Sequence, residues 1–538
     1  MTGTSWGRKT AGLIACAAAV WGSGGIGSGL ANAATPASAG AASGSWTVYH
    51  GDPAGTGVAP PVGAVDTATA RWTSPALDGQ LYGEPLVYGD RVYVATENDT
   101  VYALSAATGT VAWSAHLGRP VPARSLPCGD ISPTVGITGT PVIDPSRGEI
   151  FVVADEMTGA GPAHRLVGLA IASGRVEMSQ DVDPPGAVPA DLLQRTGLTL
   201  DAGQVVFGMG GNYGDCATYR GRVVAVPESG GTPRYFTVDA ATGENQGAVW
   251  MGGAAPVVDG SGNIWVSTGN GSVYSYQHAY DDSDAVLELS SSLRLLQFFA
   301  PTTWATNNSQ DLDMSTAPVL LSDGQVVLAG KSRIVYLLNG AHLGGIGHQQ
   351  ATLGANGNAT IGAACSEDID GGAAVVGMTV YLPCLSGVIA VRVTDSPPAL
   401  RLLWSGMGGG SPIVAGGLVW SIGQNGMLYG LDPATGDLRQ QATIGAPANH
   451  FPTPSVGDGL LLAPSSDRVV AFATAASGAK PTATPAAGSA RPAESQTPTA
   501  SPAPTHTGGR FPAAAAFGAG AAIIGLGWFL AAQRRRGR

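Results

Sequence analysis

Three features of the sequence point to an all-β fold, an eight-bladed β-propeller closed by pairing of its N- and C-terminal strands. The first is an echo. "VYALSAATGTVAWSAHLG" from Val101 reads as strand, tight turn and strand, and "LYGLDPATGDLRQQATIG" from Leu428 writes the phrase again. The second is a longer module, a Pro-Val-type start followed by short strands, that begins at Gly83, Gly139, Thr196, Ala254, Thr316, Gly372, Gly410 and Pro452. Eight copies at this spacing are the mark of propeller blades. The third is chemistry: each copy is rich in Val, Ile, Leu, Tyr and Gly, the residues of short strands joined by turns that need positive φ.

The copy from Pro452 stops after three strands. "ARWTSPALDG" from Ala70 can supply the missing outer strand and close the ring, which removes a sheet edge that would otherwise invite aggregation. The propeller is therefore placed at residues 46–473.

The flanks read differently. Arg8 and Lys9 precede an apolar stretch, and Ala31-Asn32-Ala33 has the small-x-small pattern of a signal-peptidase site, so residues 1–33 read as a signal peptide and 34–45 as a short linker. Leu13-Ile14-Ala15-Cys16 resembles a lipoprotein box, but too little apolar sequence precedes Cys16. Residues 474–510 are dominated by Pro, Thr, Ala and Ser, a composition that cannot offset the entropy of ordering and suits a disordered stalk. Residues 511–532, which contain "AAAAFGAGAAIIGLGWFLAA", read as a single transmembrane helix. The basic residues 533–538 place the C-terminus in the cytoplasm and the propeller outside the cell membrane. No Leu-Pro-x-Thr-Gly precedes the helix, which argues against sortase transfer.

Only 12% of residues are charged and the net charge is −11, which speaks against a nucleic-acid partner. Removal of the signal peptide leaves Cys128, Cys216, Cys365 and Cys384, an even number that favours disulfides in an exported chain. Three pairings are open; Cys365 and Cys384 lie close in sequence, which favours that bond and leaves Cys128 for Cys216. No Cys-x-x-Cys-His is present for covalent haem, and the histidines show no zinc spacing.

"VYALSAATGTVAW" and "LYGLDPATGDL" resemble the repeat of the pyrroloquinoline quinone (PQQ) propellers, a superfamily of quinoprotein alcohol dehydrogenases and non-enzymatic assembly-factor propellers. "WTVYHGDPAGTG" from Trp46 resembles the opening segment of its polyvinyl-alcohol-dehydrogenase-like branch. The resemblance spans Trp46 to Ala473. It is specific for fold and nearly silent on chemistry, because one fold carries many functions.

It implies a site on four consecutive stretches. Trp250 resembles the tryptophan on which the quinone stacks, since a flat aromatic cofactor wants a flat apolar floor. Asn270, in Thr268-Gly269-Asn270-Gly271, and Asp215, before Arg220-Gly221, correspond to calcium ligands, oxygen donors for a hard cation. Asp311 or Asp313 corresponds to the base that takes the substrate hydroxyl proton, and Lys331 to the cation beside the quinone oxygen. Each has a plain alternative: Asp215 as a turn residue beside a disulfide, Trp250 as core, Asn270 as a left-handed turn residue. Asp311 and Asp313 could equally be solvated turn or ion-pair residues, and Lys331 a strand-end charge in water. Two departures stand out. The vicinal Cys-Cys pair of many dehydrogenases is absent, and the spacing from Asp215 to Arg220 is one residue longer.

Two functions are thus open. One is a tethered PQQ- and calcium-dependent dehydrogenase of an alcohol or sugar, needing an external electron acceptor because the chain has no haem domain. The other is a non-catalytic propeller that binds envelope proteins or polymers.

Overall fold

The computed structural model describes residues 44–354 and 365–475. The expected signal peptide, nearly all of the expected linker, the expected stalk beyond Ala475, the expected membrane helix and the basic tail lie outside the described residues. Among the described residues no helix is long and apolar enough to cross a membrane.

Eight sheets of four or five strands, antiparallel except for one edge pairing, follow one another along the chain, with a small two-stranded sheet, Val121–Pro122 and Thr134–Val135, between the first two. The first blade is Leu86–Tyr88, Arg91–Thr96, Thr100–Ser105 and Val111–His116. The next six span residues 142–181, 199–237, 257–300, 319–353, 374–406 and 413–443, and the last begins at Ser455. Second strands such as Ile264–Thr268 and Gln325–Leu328 are buried at every position, because neighbouring blades cover both of their faces. Outer strands such as Val111–His116 and Leu438–Thr443 alternate between exposed and half-buried, as a one-sided strand must. Burial thus explains why the modules open on near-continuous apolar runs and end on mixed ones.

The ring closes as the sequence predicts. Trp72 and Thr73 pair with Ala471 and Val470, and Val65 pairs with Thr474, so the N-terminal segment completes the last blade. The repeated phrase has a physical reason. Trp72 donates its Nε1–H to the Ala106 carbonyl at 2.7 Å and lies against Gly109, in the Ala-Thr-Gly turn of the next blade. Trp113 repeats this on Ile171 and Gly174, and Trp404 on Pro433 and Gly436. Gly109 has φ +71°, and a Cβ there would overlap the Trp72 ring, so the turn requires glycine on both counts. At these three blade junctions Trp and Gly recur together because one blade's indole docks on its neighbour's turn.

Residues 46–59 run along the axis rather than into a blade. They hydrogen-bond to the innermost strands of five blades, through Val87, Ile143, Val258, Val375 and Val414. Both predicted disulfides are present, Cys128–Cys216 and Cys365–Cys384.

The second blade buries His164 completely. Its Nδ1 lies 2.7 Å from Asp183 Oδ1, and its Nε2 3.7 Å from Asp155 Oδ2. Burial alone would push this imidazole down, but the Asp155 charge and the Asp183 hydrogen bond outweigh it and bring it up to about 8. A raised histidine stabilises fully below its unfolded value of 6.5 and loses that contribution as pH rises through about 8. The loss should total about 2 kcal/mol at 1.36 kcal/mol per pH unit. His164→Asn should remove this slope from urea melts recorded between pH 6 and 9; an unchanged slope would assign it to another group.

Candidate functional site

The site is assembled at one mouth of the ring. In a propeller, two kinds of segment open on the same face: connections from one blade's outer strand to the next blade's inner strand, and turns between second and third strands. Asp215, Asn270 and Lys331 lie in turns of the second kind, in blades three, four and five. Trp250 and the Asp311–Asp313 pair lie in connections of the first kind, entering blades four and five. Sequence separation is thereby converted into proximity.

Lys331 is the hub. Its Nζ lies 2.6 Å from Asp313 Oδ2, 3.1 Å from Asp311 Oδ1 and 5.3 Å from the centroid of the Trp250 ring. Burial alone would lower its pKa, but Asp313 and then Asp311 outweigh that, and the ammonium is held well above its ordinary range. The backbone sets this up: the Lys331 N–H donates to the Asp313 carbonyl at 3.0 Å. The helix Trp304–Gln310 ends on Asp311 at φ +58°, a left-handed cap that turns the chain back towards Lys331.

Asp313 and Asp311 are now distinguishable. The Asp313 side chain is 6% exposed and accepts the Asn270 N–H at 2.6 Å through Oδ1. The Asp311 side chain is 65% exposed and faces the opening. Asn270 does not have the positive φ of a left-handed turn residue. Its carboxamide faces both carboxylates. With nitrogen inward it donates to Asp311 Oδ1 at 3.2 Å and to Asp313 Oδ1; with oxygen inward three oxygens face one another. The neighbouring Gly271 N–H donates to Asn308 Oδ1 at 2.9 Å, which ties this turn to the helix.

Asp215 is near but apart. It sits at φ +46° beside the Cys128–Cys216 disulfide and accepts the Tyr219 hydroxyl at 2.6 Å. Burial pushes its carboxyl up, and Asp313, Asp311 and Lys331 act on it through space. It makes no hydrogen bond or ion pair to them. The plain reading of Asp215, a turn residue next to a disulfide, therefore describes its direct contacts.

The structure adds residues that the sequence reading missed. Phe451 leans on Trp250 with ring centroids 5.7 Å apart and planes at 52°. The Arg195 guanidinium lies 5.6 Å from the Phe451 ring and 5.7 Å from the Tyr82 ring. Arg195 is 9% exposed and makes no ion pair or side-chain hydrogen bond among the described residues. Asp370 is buried, accepts the Ser315 hydroxyl and is pushed up to about 7, by burial first, with Lys331 opposing. Arg195 had one visible signal: a cation at the start of the apolar module "LLQRTGLTL" in a chain with few charges.

The mouth therefore presents an indole and a phenyl ring, with a carboxylate-bound ammonium on one side and an unpaired guanidinium on the other. A family model described as outer membrane protein assembly factor BamB matches residues 17–185 and 62–294, together more than half of the chain. The chain belongs to the PQQ-repeat propeller family.

No curated protein matches this PQQ-repeat propeller in sequence. Among solved structures it is similar to a quinohemoprotein alcohol dehydrogenase from Comamonas testosteroni, 15% identical over 81% of each chain, with a TM-score of 0.57. It is similar to a quinohemoprotein alcohol dehydrogenase from Pseudomonas putida, 13% identical over 84% of this chain and 82% of that one, TM-score 0.60. It also resembles a europium-containing methanol dehydrogenase, 12% identical over 80% of this chain and 98% of that one, TM-score 0.58. At these identities the likeness establishes the fold and leaves chemistry to the site.

The residues present fit a planar anionic quinone and a hard cation. Asn270 can turn its amide oxygen to a cation, the donor type calcium selects, with the Asp215 carboxyl nearby. Among the described residues no three His, Cys, Asp or Glu side chains converge on one point, so an ion here needs the amide oxygen and donors from the cofactor itself. Arg195, buried without a partner, has the fork geometry for a carboxylate. Phe451 occupies part of the space beside Trp250 and would have to act as the second aromatic wall.

Proposed function

We propose that this propeller is a PQQ- and calcium-dependent dehydrogenase that oxidises an alcohol or a sugar at the mouth containing Lys331. The observation that carries the reading is the meeting of Trp250, Asn270, Asp311, Asp313 and Lys331, drawn from four separate segments, around one ammonium. Bound there, the quinone would supply a two-electron acceptor. Trp250 and Phe451 would hold its ring plane, Arg195 a carboxylate, and Asn270 with the nearby Asp215 the calcium ion. Lys331 would keep a positive charge at the quinone oxygen where negative charge develops.

Asp313 is the better proton acceptor for the substrate hydroxyl. It is buried beside the edge of Trp250, held by Lys331 and by the Asn270 N–H, and still has lone pairs to offer. Asp311, open to water, would draw Lys331 into place. Electrons would leave to an external carrier. The signal peptide, stalk and membrane helix read from the sequence would hold this mouth outside the cell.

The test is direct. With PQQ and calcium added, the purified protein should lose tryptophan fluorescence and reduce a dye in the presence of primary alcohols or aldoses. Asp313→Asn should abolish dye reduction while leaving quenching, and Asp311→Asn should keep most of the rate. No quenching at micromolar PQQ would discard this reading.

One observation favours the second reading, a non-catalytic binding propeller. Lys331 is already neutralised by two carboxylates, and Phe451 already covers part of Trp250, so the mouth is satisfied without a cofactor. The match to a model described as an outer membrane protein assembly factor is in line with that role.

A further inference from the structure

Beside the Asn270 turn lies a second, separate set of oxygens. Gln246 forms an isolated β-bridge with Gly271, and the Gly247 N–H donates to the Asn270 carbonyl at 2.9 Å. The segments entering and leaving blade four's first turns are thus clamped together. Two carboxylates from different loops fold onto this clamp. Asp239 Oδ2 lies over Gly247, where a Cβ would come within 3.4 Å of it. Asp281 Oδ2 lies over Gly271, where a Cβ would overlap it.

These oxygens have nothing to bond. Asp239 is completely buried and neither of its oxygens has a partner among the described residues. Asp281 is 1% exposed; its Oδ1 accepts the Ser283 hydroxyl at 2.5 Å, but its Oδ2 has no partner. Gln246 Oε1, buried as an atom, has none either. Buried carboxylates are normally paired, hydrogen-bonded or bound to a metal. The cation near Asp239 is Arg220, which instead donates to the Gly243 carbonyl at 2.5 Å and forms no ion pair with it. Burial, and then the charges of Asp281 and Asp282, push the Asp239 carboxyl up to about 9, which an ion would reverse.

We propose that Asp239, Asp281 and Gln246 form a structural site for a divalent cation of the calcium class. Two carboxylates neutralise the ion, the carboxamide gives a third oxygen, and water or backbone carbonyls complete a shell that calcium accepts in flexible geometry. The set contains two acidic side chains, in keeping with the absence of a three-member acidic or histidine cluster among the described residues. The ion would brace the connection that carries Trp250 against the turn that carries Asn270. The site stands whether or not the mouth takes a quinone.

The test uses the full-length protein, stripped with a chelator and kept free of PQQ. Calcium chloride titration should give a binding isotherm and raise the melting temperature by several degrees. In Asp239→Asn/Asp281→Asn, calcium affinity should fall about a hundredfold or more and the calcium-dependent rise should vanish. Without calcium this variant should melt no lower than the wild type, because the Asp239 carboxyl, which burial holds in its neutral form, is replaced by a neutral group of the same shape; a merely structural hydrogen-bonding role would lower it. Asn270→Ala and Asp313→Asn should retain the calcium response, which separates this site from the mouth. If the double variant does not fold, Gln246→Ala should weaken binding about tenfold. No calcium binding by the wild type would overturn the proposal. An undiminished response in the double variant would overturn it equally.

Discussion

Lys331→Met should cost the largest share of any dehydrogenase activity, lowering kcat by about a hundredfold to a thousandfold, as loss of one preorganised donor at a developing negative charge does elsewhere. The geometry gives the reason. One ammonium touches both carboxylates and stands over the indole, at 2.6, 3.1 and 5.3 Å. Methionine keeps the length and removes the charge, leaving Asp313 buried without a counterion. Quinone quenching should weaken in parallel. Lys331→Arg should recover most of the binding, because charge and donor are restored. Since Lys331 is held well above its ordinary range, it stays protonated through pH 9, and any pH dependence of the rate between 6 and 9 must belong to other groups. Dye-coupled rates for the two variants across that range check the claim. A Lys331→Met rate within threefold of the wild type would remove Lys331 from the chemistry.

Trp72→Ala should strongly destabilise the ring, by about 3–5 kcal/mol as for other buried large-to-small aromatic replacements. Trp72 is 8% exposed and belongs to the strand that joins the two ends of the chain. Its loss empties the space over Gly109 and frees the Ala106 carbonyl from its 2.7 Å hydrogen bond. Trp113→Ala, at a half-buried indole inside an already continuous pair of blades, should cost less. Gly109→Val should act on the same contact from the other side, through its positive φ and through overlap with the Trp72 ring, so the double variant should cost less than the sum. Guanidinium melts followed by fluorescence measure all four. A Trp72→Ala protein as stable as Trp113→Ala would mean that closure does not limit the stability of the ring.

The blades were legible because their signal is local. Val, Ile, Leu and Tyr runs, Gly turns and the Ala-Thr-Gly/Trp phrase lie within single modules, and the eight starting points from Gly83 to Pro452 correspond to eight sheets. Closure by the Trp72 segment was legible for a related reason: a blade with three strands requires a fourth. The disulfides followed from count and proximity in the chain.

The mouth was legible only in outline. Asn270, Asp313 and Lys331 could be singled out by motif, but not the choice between Asp311 and Asp313, which rests on one side chain being buried and the other in water. Asp215 was placed with the calcium ligands by resemblance, despite a spacing one residue longer, yet its direct contact is Tyr219. Phe451, Asp239 and Asp281 carried no readable mark, because a lone Phe or Asp in a loop looks the same whether it faces water or a neighbour's side chain, and Arg195 carried only a weak one.

That division has a single physical cause. Strand pairing within a blade depends on residues a few positions apart, so the eight blades and the closing strand could be read from the order of residues alone, whereas the docking of an indole on the next blade's turn could not. Which carboxylate meets Lys331, and that Asp239 and Asp281 are shut away from water without partners, depends on how loops from different blades approach one another around the axis. Those distances and burials arise only when the ring is closed.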